Sequence, residues 1–334
     1  KKKILNYLSL KKKKIILTSS GHTALVSCLH KIKTLSKKKY VLIPSFGFYS
    51  NISAVIEAGF EPIFIDINMN KMHTTEKELN EFFKVNSSIR KNIAGCLIVS
   101  PFGKPIKVEL LNSLVEKFKF HFIYDAANAL LNLDKSIDKS NFFTICSFHP
   151  TKTLGANESG LIITDKKFYD YLKSIINFGI DDTKPLRDIK NIGFNGKFSE
   201  YDAAIFLANF KNKKIIEKKL SILNKIIKKD LNYENLINKE DFNQNFLRNL
   251  LIIIPKINVD LFALNKQLVK YKVNLIKPWS HSLLSQFKIF SKFKKGNLKN
   301  SNIIKKKMIT INLPYFLNEK KLKLIIKILN KFIS

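Results

Sequence analysis

Six short apolar runs, separated by segments with helical spacing, constrain this 334-residue chain more than any other feature. The runs cover residues 40–43, 62–67, 95–100, 121–124, 142–147 and 161–164. The segments 23–33, 51–58, 76–83, 107–118 and 167–176 carry apolar residues at helical intervals. A strand that is apolar throughout is buried on both faces, and strands alternating with helices pair mostly in parallel. The expected class is therefore α/β, with a mostly parallel central sheet flanked by helices. Ligands of such sheets gather beyond the carboxyl ends of the strands. After residue 195 the pattern changes. A long helix is expected over 200–229, broken near 211–214, followed by strand-like segments at 250–254 and 308–313 and an amphipathic helix over 318–333. This predicts a large α/β domain over 1–214 and a smaller C-terminal α+β domain over 215–334, a division that the length accommodates.

The charge balance is extreme, with a formal net charge of +33, but it is carried by lysine. Only Arg90, Arg187 and Arg248 are arginines, so 56 of the 59 basic residues are lysines. Specific readers of nucleic acid favour arginine for its bidentate contacts. The lysines are spread along the whole chain, as solvated faces would be. A specific nucleic-acid partner is not expected. Cys28, Cys96 and Cys146 are odd in number and lack metal-ligand spacing, which points to buried free thiols, a reducing compartment and no metal site. No apolar run approaches the ~18 residues of a membrane span. The opening residues show no signal-peptide core ahead of a cleavage site. The expected location is cytoplasmic.

Four segments carry chemistry. In Ser147-Phe148-His149-Pro150-Thr151-Lys152, a lysine closely follows a buried strand, framed by small and hydroxyl residues. Burial at such a place lowers an amine's pKa and makes it nucleophilic toward carbonyls; the alternative is an exposed loop lysine. Asp125 ends the strand 121–124 and needs a partner if buried. A ring nitrogen that must stay protonated would suit it, and a helix N-cap is the plainer role. Ser19-Ser20-Gly21-His22-Thr23 opens a helix with small residues, which suits a phosphate or ordinary capping. Phe46 and Phe48 follow a strand and could stack on a flat ring or fill the core.

In this order the segments resemble the DegT/DnrJ/EryC1/StrS family, the pyridoxal 5'-phosphate (PLP)-dependent sugar-nucleotide aminotransferases of the type I fold. The resemblance extends through Asn177-Phe178-Gly179, Asn195-Gly196-Lys197-Phe198-Ser199-Glu200 and Leu313-Pro314. It implies that Lys152 bonds covalently to the cofactor's aldehyde and then moves protons. It implies that Asp125 pairs with the pyridinium nitrogen and that Phe48 stacks on the ring. Gly21, His22, Thr23 and Ser147 are implied phosphate contacts. Asn128 is implied to lie on the O3′ side of the ring, and Asn195 to reach the phosphate of a neighbouring subunit, which makes a homodimer the minimum unit. Arg187 and His281 are candidate substrate contacts, with an ordinary surface role as the alternative for each. The implied reaction carries an amino group from an amino acid, L-glutamate by expectation, to a keto sugar nucleotide, within surface polysaccharide or lipopolysaccharide synthesis.

The chain departs from the family pattern at His22 (where Thr is common), at Asn128 (Gln or His) and at Ser159 (Gly). Related chemistries fit less well. Aspartate-type aminotransferases hold the substrate with an arginine in the C-terminal lobe, and none follows Arg248. Cysteine desulfurases need a cysteine beyond the lysine, and none follows Cys146. Sugar dehydratases of the same family replace the lysine with histidine. A keto substrate without a nucleotide, and cofactor binding without turnover, stay open.

Overall fold

The computed structural model describes residues 1–181, 188–276 and 282–334. The first half runs α1 (Lys2–Tyr7), β1 (Lys13–Thr18), α2 (Gly21–Leu35), β2 (Tyr40–Pro44), α3 (Tyr49–Glu57), β3 (Glu61–Ile65), α4 (Glu76–Val85), β4 (Ile93–Val99), α5 (Val108–Phe118), β5 (His121–Asp125), β6 (Phe143–Ser147), β7 (Gly160–Asp165) and α6 (Lys166–Ile175). Its strands form one seven-stranded sheet in the order β1-β7-β6-β5-β4-β2-β3. Five neighbouring strands, β6 through β3, are parallel, and β7 alone is reversed, pairing antiparallel with β6 on one side and β1 on the other. All six apolar runs are strands of this sheet.

Successive strand residues alternate between two apolar cores. Leu42, Phe122 and Leu161 face one, and Ile43, Ile123 and Ile162 face the other. The second core is roofed by α2 and α6, through Leu25, Leu29 and Ile32 of the one and Leu172 and Ile175 of the other. The first is covered by α4 and α5 and continues into the C-terminal elements. Both faces are thus buried, as uninterrupted apolar strands require. Cys28, Cys96 and Cys146 are free thiols within these cores, and burial pushes each thiol well above its ordinary pKa.

Two elements of this first half, α1 and β1, were not legible as such. α1 is short, and β1 begins inside the lysine run 11–14. Lys13 is not on a solvated face: it is 3% exposed, and its amine donates to Asp165 at 2.6 Å and to the Ser140 carbonyl. Asp138 accepts three successive backbone N–H groups, from Lys11, Lys12 and Lys13, and so fixes the entry to the strand. Lys104 likewise is buried, in an ion pair with Asp241. These two lysines depart from the solvated role expected of the lysine population.

The chain continues through the short strands β8 (Ile180–Asp181) and β9 (Asp188–Ile189) to α7 (Glu200–Lys211) and α8 (Lys213–Asp230). The break between these helices falls at Asn212, inside the window predicted for it. There follow α9 (Glu240–Asn243), β10 (Leu250–Ile253), α10 (Leu261–Val269), α11 (Lys299–Lys307), β11 (Ile309–Asn312) and α12 (Glu319–Ile333). β10 and β11 pair antiparallel. α12 starts where the Asn318 side chain accepts from the amides of Lys320 and Lys321. Its buried stripe of Leu322, Ile325, Ile326, Leu329 and Ile333 packs against α8 and α10. Asp66, just beyond β3, accepts from Asn300 N, Ser301 N and Ser301 Oγ and thereby caps α11. Among the described residues no helix is long and apolar enough to cross a membrane.

Candidate active site

A cavity of about 510 Å³ opens beyond the carboxyl ends of the sheet strands, where β10 and β11 close over them. Of the residues expected at the site, Gly21, His22, Phe48, Asp125, Asn128, Ser147 and Lys152 line it. Thr23 lies one residue deeper in α2. Asn195 is exposed, pairs through its backbone with Asn177, and is not part of the lining. Arg187 and His281 lie outside the described residues.

Lys152 sits in the loop that joins β6 to the reversed β7. The loop is held at both ends: Phe148 N donates to Ser159 O at 2.7 Å, and Ala156 N to Phe148 O at 2.7 Å. Phe148 is 1% exposed and packs on Phe206 of α7, with ring centroids 4.3 Å apart. The phenylalanine of the hexapeptide therefore pins the loop, and the lysine four residues on is presented to the cavity. Burial holds the Lys152 amine below the usual lysine range, and the negative charge of Asp125 opposes this in part. Its amine forms no hydrogen bond among the described residues.

Asp125 ends β5, 6% exposed, and caps no helix. Its Oδ1 accepts from Ala127 N at 3.0 Å and its Oδ2 from the Asn51 side-chain amide at 2.7 Å. Burial pushes its pKa up, whereas these two hydrogen bonds and the Lys152 charge favour the ionised form. Asn51, in the first turn of α3 and 1% exposed, is a site residue that the motifs did not reveal. A polar residue inside the apolar stripe of a helix was its only signal.

The far end of the cavity is the N-terminus of α2. Ser20 caps it, accepting from Thr23 N at 2.9 Å, which leaves the amides of Gly21 and His22 without partners inside the helix. Both residues face the cavity beside Ser147. A Cβ on Gly21 would lie 2.9 Å from the Ser147 Cβ, so only glycine lets the strand end and the helix start approach this closely. Unpaired amides at a helix N-terminus next to a hydroxyl suit a phosphate. The Thr23 hydroxyl is taken up by Ser19 and Ser20, 2.9 Å from each.

The two candidate aromatics separate. Phe46 is buried in the core against Phe102, while Phe48 is 49% exposed at the cavity edge. Asn128 donates its amide to Asn249 Oδ1 at 2.7 Å, and Asn249 in turn donates to the Thr151 carbonyl at 3.2 Å. The Oδ1 atoms of Asn128 and Asn51 are buried and have no hydrogen-bond partner among the described residues.

These residues fit PLP. The unpaired amides at Gly21 and His22 with Ser147 match its phosphate, the buried Asp125 its ring nitrogen, and the Lys152 amine its aldehyde. The two orphaned amide oxygens lie on residues lining the same cavity. When bound, the group supplies an electron sink for bonds made or broken at the substrate carbon.

Known proteins agree with this reading. The chain is 27% identical over 202 residues to the dTDP-4-amino-4,6-dideoxy-D-glucose transaminase of Shigella dysenteriae, which covers 59% of this chain and 52% of that protein. It is 28% identical over 208 residues to the 3-oxo-glucose-6-phosphate:glutamate aminotransferase of Bacillus subtilis, covering 60% and 44%. The chain thus spans about half the length of the curated relatives it matches. In fold it is similar to the crystal structure of ntda from Bacillus subtilis with bound cofactor PMP, with a TM-score of 0.81 and 20% identity over 98% of this chain and 76% of that one. The DegT/DnrJ/EryC1/StrS aminotransferase family model matches residues 2–330. The family's cofactor is PLP. The chain belongs to the DegT/DnrJ/EryC1/StrS aminotransferase family.

Proposed function

We propose that this chain is a PLP-dependent aminotransferase that carries an amino group from an amino acid to a keto sugar nucleotide. The observation that carries the reading is the pairing of two unlike groups in one cavity. Lys152 has an amine held below the usual lysine range by burial, and Asp125 is a buried carboxyl kept competent by the Asn51 and Ala127 donors. A lysine so placed would take a proton from the amine-bearing carbon of the donor and deliver one to the keto carbon of the acceptor, the work of a positioned general base and acid. The nucleoside-diphosphate sugar named for the Shigella dysenteriae relative supports the acceptor class, and the Bacillus subtilis relative's name supports glutamate as donor. That second relative also favours another reading, a phosphorylated keto sugar without a nucleotide.

The working unit we propose is a homodimer. α7 buries only Asp202, Phe206 and Phe210, and leaves Tyr201 85% and Ile205 44% exposed on a largely apolar helix. That surface suits a second copy of the chain. We assign Asn195, exposed just before α7, to the partner's site. We take the large domain as 1–214 and the small one as 215–334, a boundary in the first turn of α8, and the location as cytoplasmic. A pathway to surface polysaccharide or lipopolysaccharide is the proposed setting.

The test is optical. Protein loaded with cofactor is expected to absorb at the edge of the visible, L-glutamate to bleach the band, and one member of a panel of keto sugar nucleotides to restore it. A protein that stays colourless with added cofactor refutes the aminotransferase. A coloured protein indifferent to every amino donor indicates binding without turnover. Restoration only by a keto sugar phosphate selects the second reading.

A further inference from the structure

Beside the start of α2, the side chain of His22 is held by two residues of α3. Its Nδ1 lies 3.0 Å from Ser50 Oγ and its Nε2 lies 2.9 Å from Glu57 Oε2. Ser50 and Glu57 are seven residues apart, two helical turns, and so share a face of α3. His22 and Ser50 both line the cavity, next to Gly21 and the unpaired amides of α2.

The hydrogens of this chain are fixed by what each atom can do. A carboxylate oxygen only accepts, so Nε2 carries a hydrogen. When the imidazole is neutral, Nδ1 is an acceptor, and Ser50 spends its single hydroxyl hydrogen on it. When the imidazole is protonated, Nδ1 donates to Ser50 Oγ, and the hydroxyl hydrogen is released to donate elsewhere. The neutral state offers the cavity an oxygen lone pair. The protonated state offers a hydrogen and a cation in its place. A doubly charged oxyanion at the N-terminus of α2 selects the second state.

We propose that Ser50, His22 and Glu57 form a proton-coupled clamp for the cofactor's phosphate. Binding of the phosphate takes up a proton at His22 and turns the Ser50 hydroxyl into a donor. The proposal rests on the PLP reading of the cavity. His22 and Ser50 are its specificity residues for phosphorylated over unphosphorylated cofactor, and Glu57 is a positioning residue. The other titratable groups that share the cavity or Glu57 are Asp125 at the end of β5, His149, Lys152 and Glu158 on the β6–β7 loop, and His30 on α2. They remain in place when the clamp is cut, so their effects cancel between wild type and variant.

The probes are pyridoxamine phosphate and pyridoxamine, neither of which can bond to Lys152 through an aldehyde. Their dissociation constants are measured between pH 6.5 and 8.5. Because binding takes up a proton, the preference for the phosphorylated probe is expected to rise as pH falls. The rise should be about 5- to 10-fold greater in wild type than in His22→Asn. Ionisation of the phosphate itself affects both proteins alike. Ser50→Ala, which removes only a hydroxyl, should lose the same increment, and Glu57→Gln should keep it but displace it to lower pH. Identical pH dependence in wild type, His22→Asn and Ser50→Ala overturns the clamp while leaving the cofactor assignment standing. Failure of pyridoxamine phosphate to bind wild type at any pH overturns the cofactor reading and the clamp with it.

Discussion

The sheet-side floor of the cavity and its C-terminal wall are held by different kinds of interaction. On the floor, Asp125, Ser147 and Gly21 are set by strand ends and a helix start, and their contacts are short and local to those elements. Behind the wall, the loops after β4 and β5 are tied to the C-terminal part through charges and amides. Lys104 pairs with Asp241, whose Oδ2 accepts from Asn238 at 3.1 Å and whose carbonyl accepts from Arg248. Asn132 exchanges hydrogen bonds with Leu247 at 2.8 and 2.9 Å. Arg248 is buried, and burial pushes its guanidinium down to about 10. The floor is built for chemistry, and its stability comes from the apolar cores beneath it. The wall holds the two parts of the chain together with polar groups that cost much if left unpaired.

Substitutions can break this contrast or sharpen it. Lys152→Ala on the floor is expected to cut transamination by roughly two to four orders of magnitude. Its melting temperature should stay near that of wild type, and retained turnover would refute the assignment. Asp241→Ala behind the wall should do the reverse, costing about 3–5 kcal/mol in a denaturant titration because the buried Lys104 loses its partner. The pair Lys104→Met with Asp241→Leu should recover most of that loss; equal destabilisation by single and double variants would show that packing, not charge, holds the wall.

Asn51→Leu tests how far the Asn51 amide favours the ionised form of Asp125. Removing a hydrogen bond to a charged acceptor is worth about 1.5–3 kcal/mol. The Asp125 pKa is already raised by burial, and the loss of the amide raises it further. The acid limb of the pH–activity profile should therefore move to higher pH, with activity recovered on the alkaline side. An unmoved limb would assign Asn51 to packing alone. Asn249→Ala should have the smallest effect, about 0.5–1.5 kcal/mol in cofactor affinity, since it removes one neutral partner of Asn128. An effect as large as that of Asn51→Leu would erase the distinction between floor and wall.

The floor was legible in the sequence because its residues lie at the ends of patterned elements. A continuous apolar run names a buried strand, and the polar residue that ends it is conspicuous, as Asp125 and Ser147 are, with Lys152 in the loop that follows. β1 escaped because its first residues, Lys13 and Lys14, belong to a lysine run, and the Asp165 that pairs with Lys13 is 152 positions away. Asn51 and Asn249 escaped for a related reason. An asparagine has no fixed role until its partners arrive, and theirs come from β5 and from the loops after β5 and β6. The wall depends throughout on such distant pairs.

The reversed strand β7 has a consequence for the order in which the site is assembled. β6 and β7 are neighbours in sequence, so the hairpin that carries Lys152 closes a short loop. β1 joins the outer side of β7 only after more than a hundred intervening residues, and long loops close slowly. Yet β1 delivers Ser20 and Gly21, whose backbone comes so near Gly160 that a Cβ there would lie 2.7 Å from the Ser20 carbonyl. The proposed phosphate seat is therefore completed in the same event that completes the sheet. In refolding kinetics, recovery of cofactor binding should track the slowest phase, well after the hairpin around Lys152 has formed.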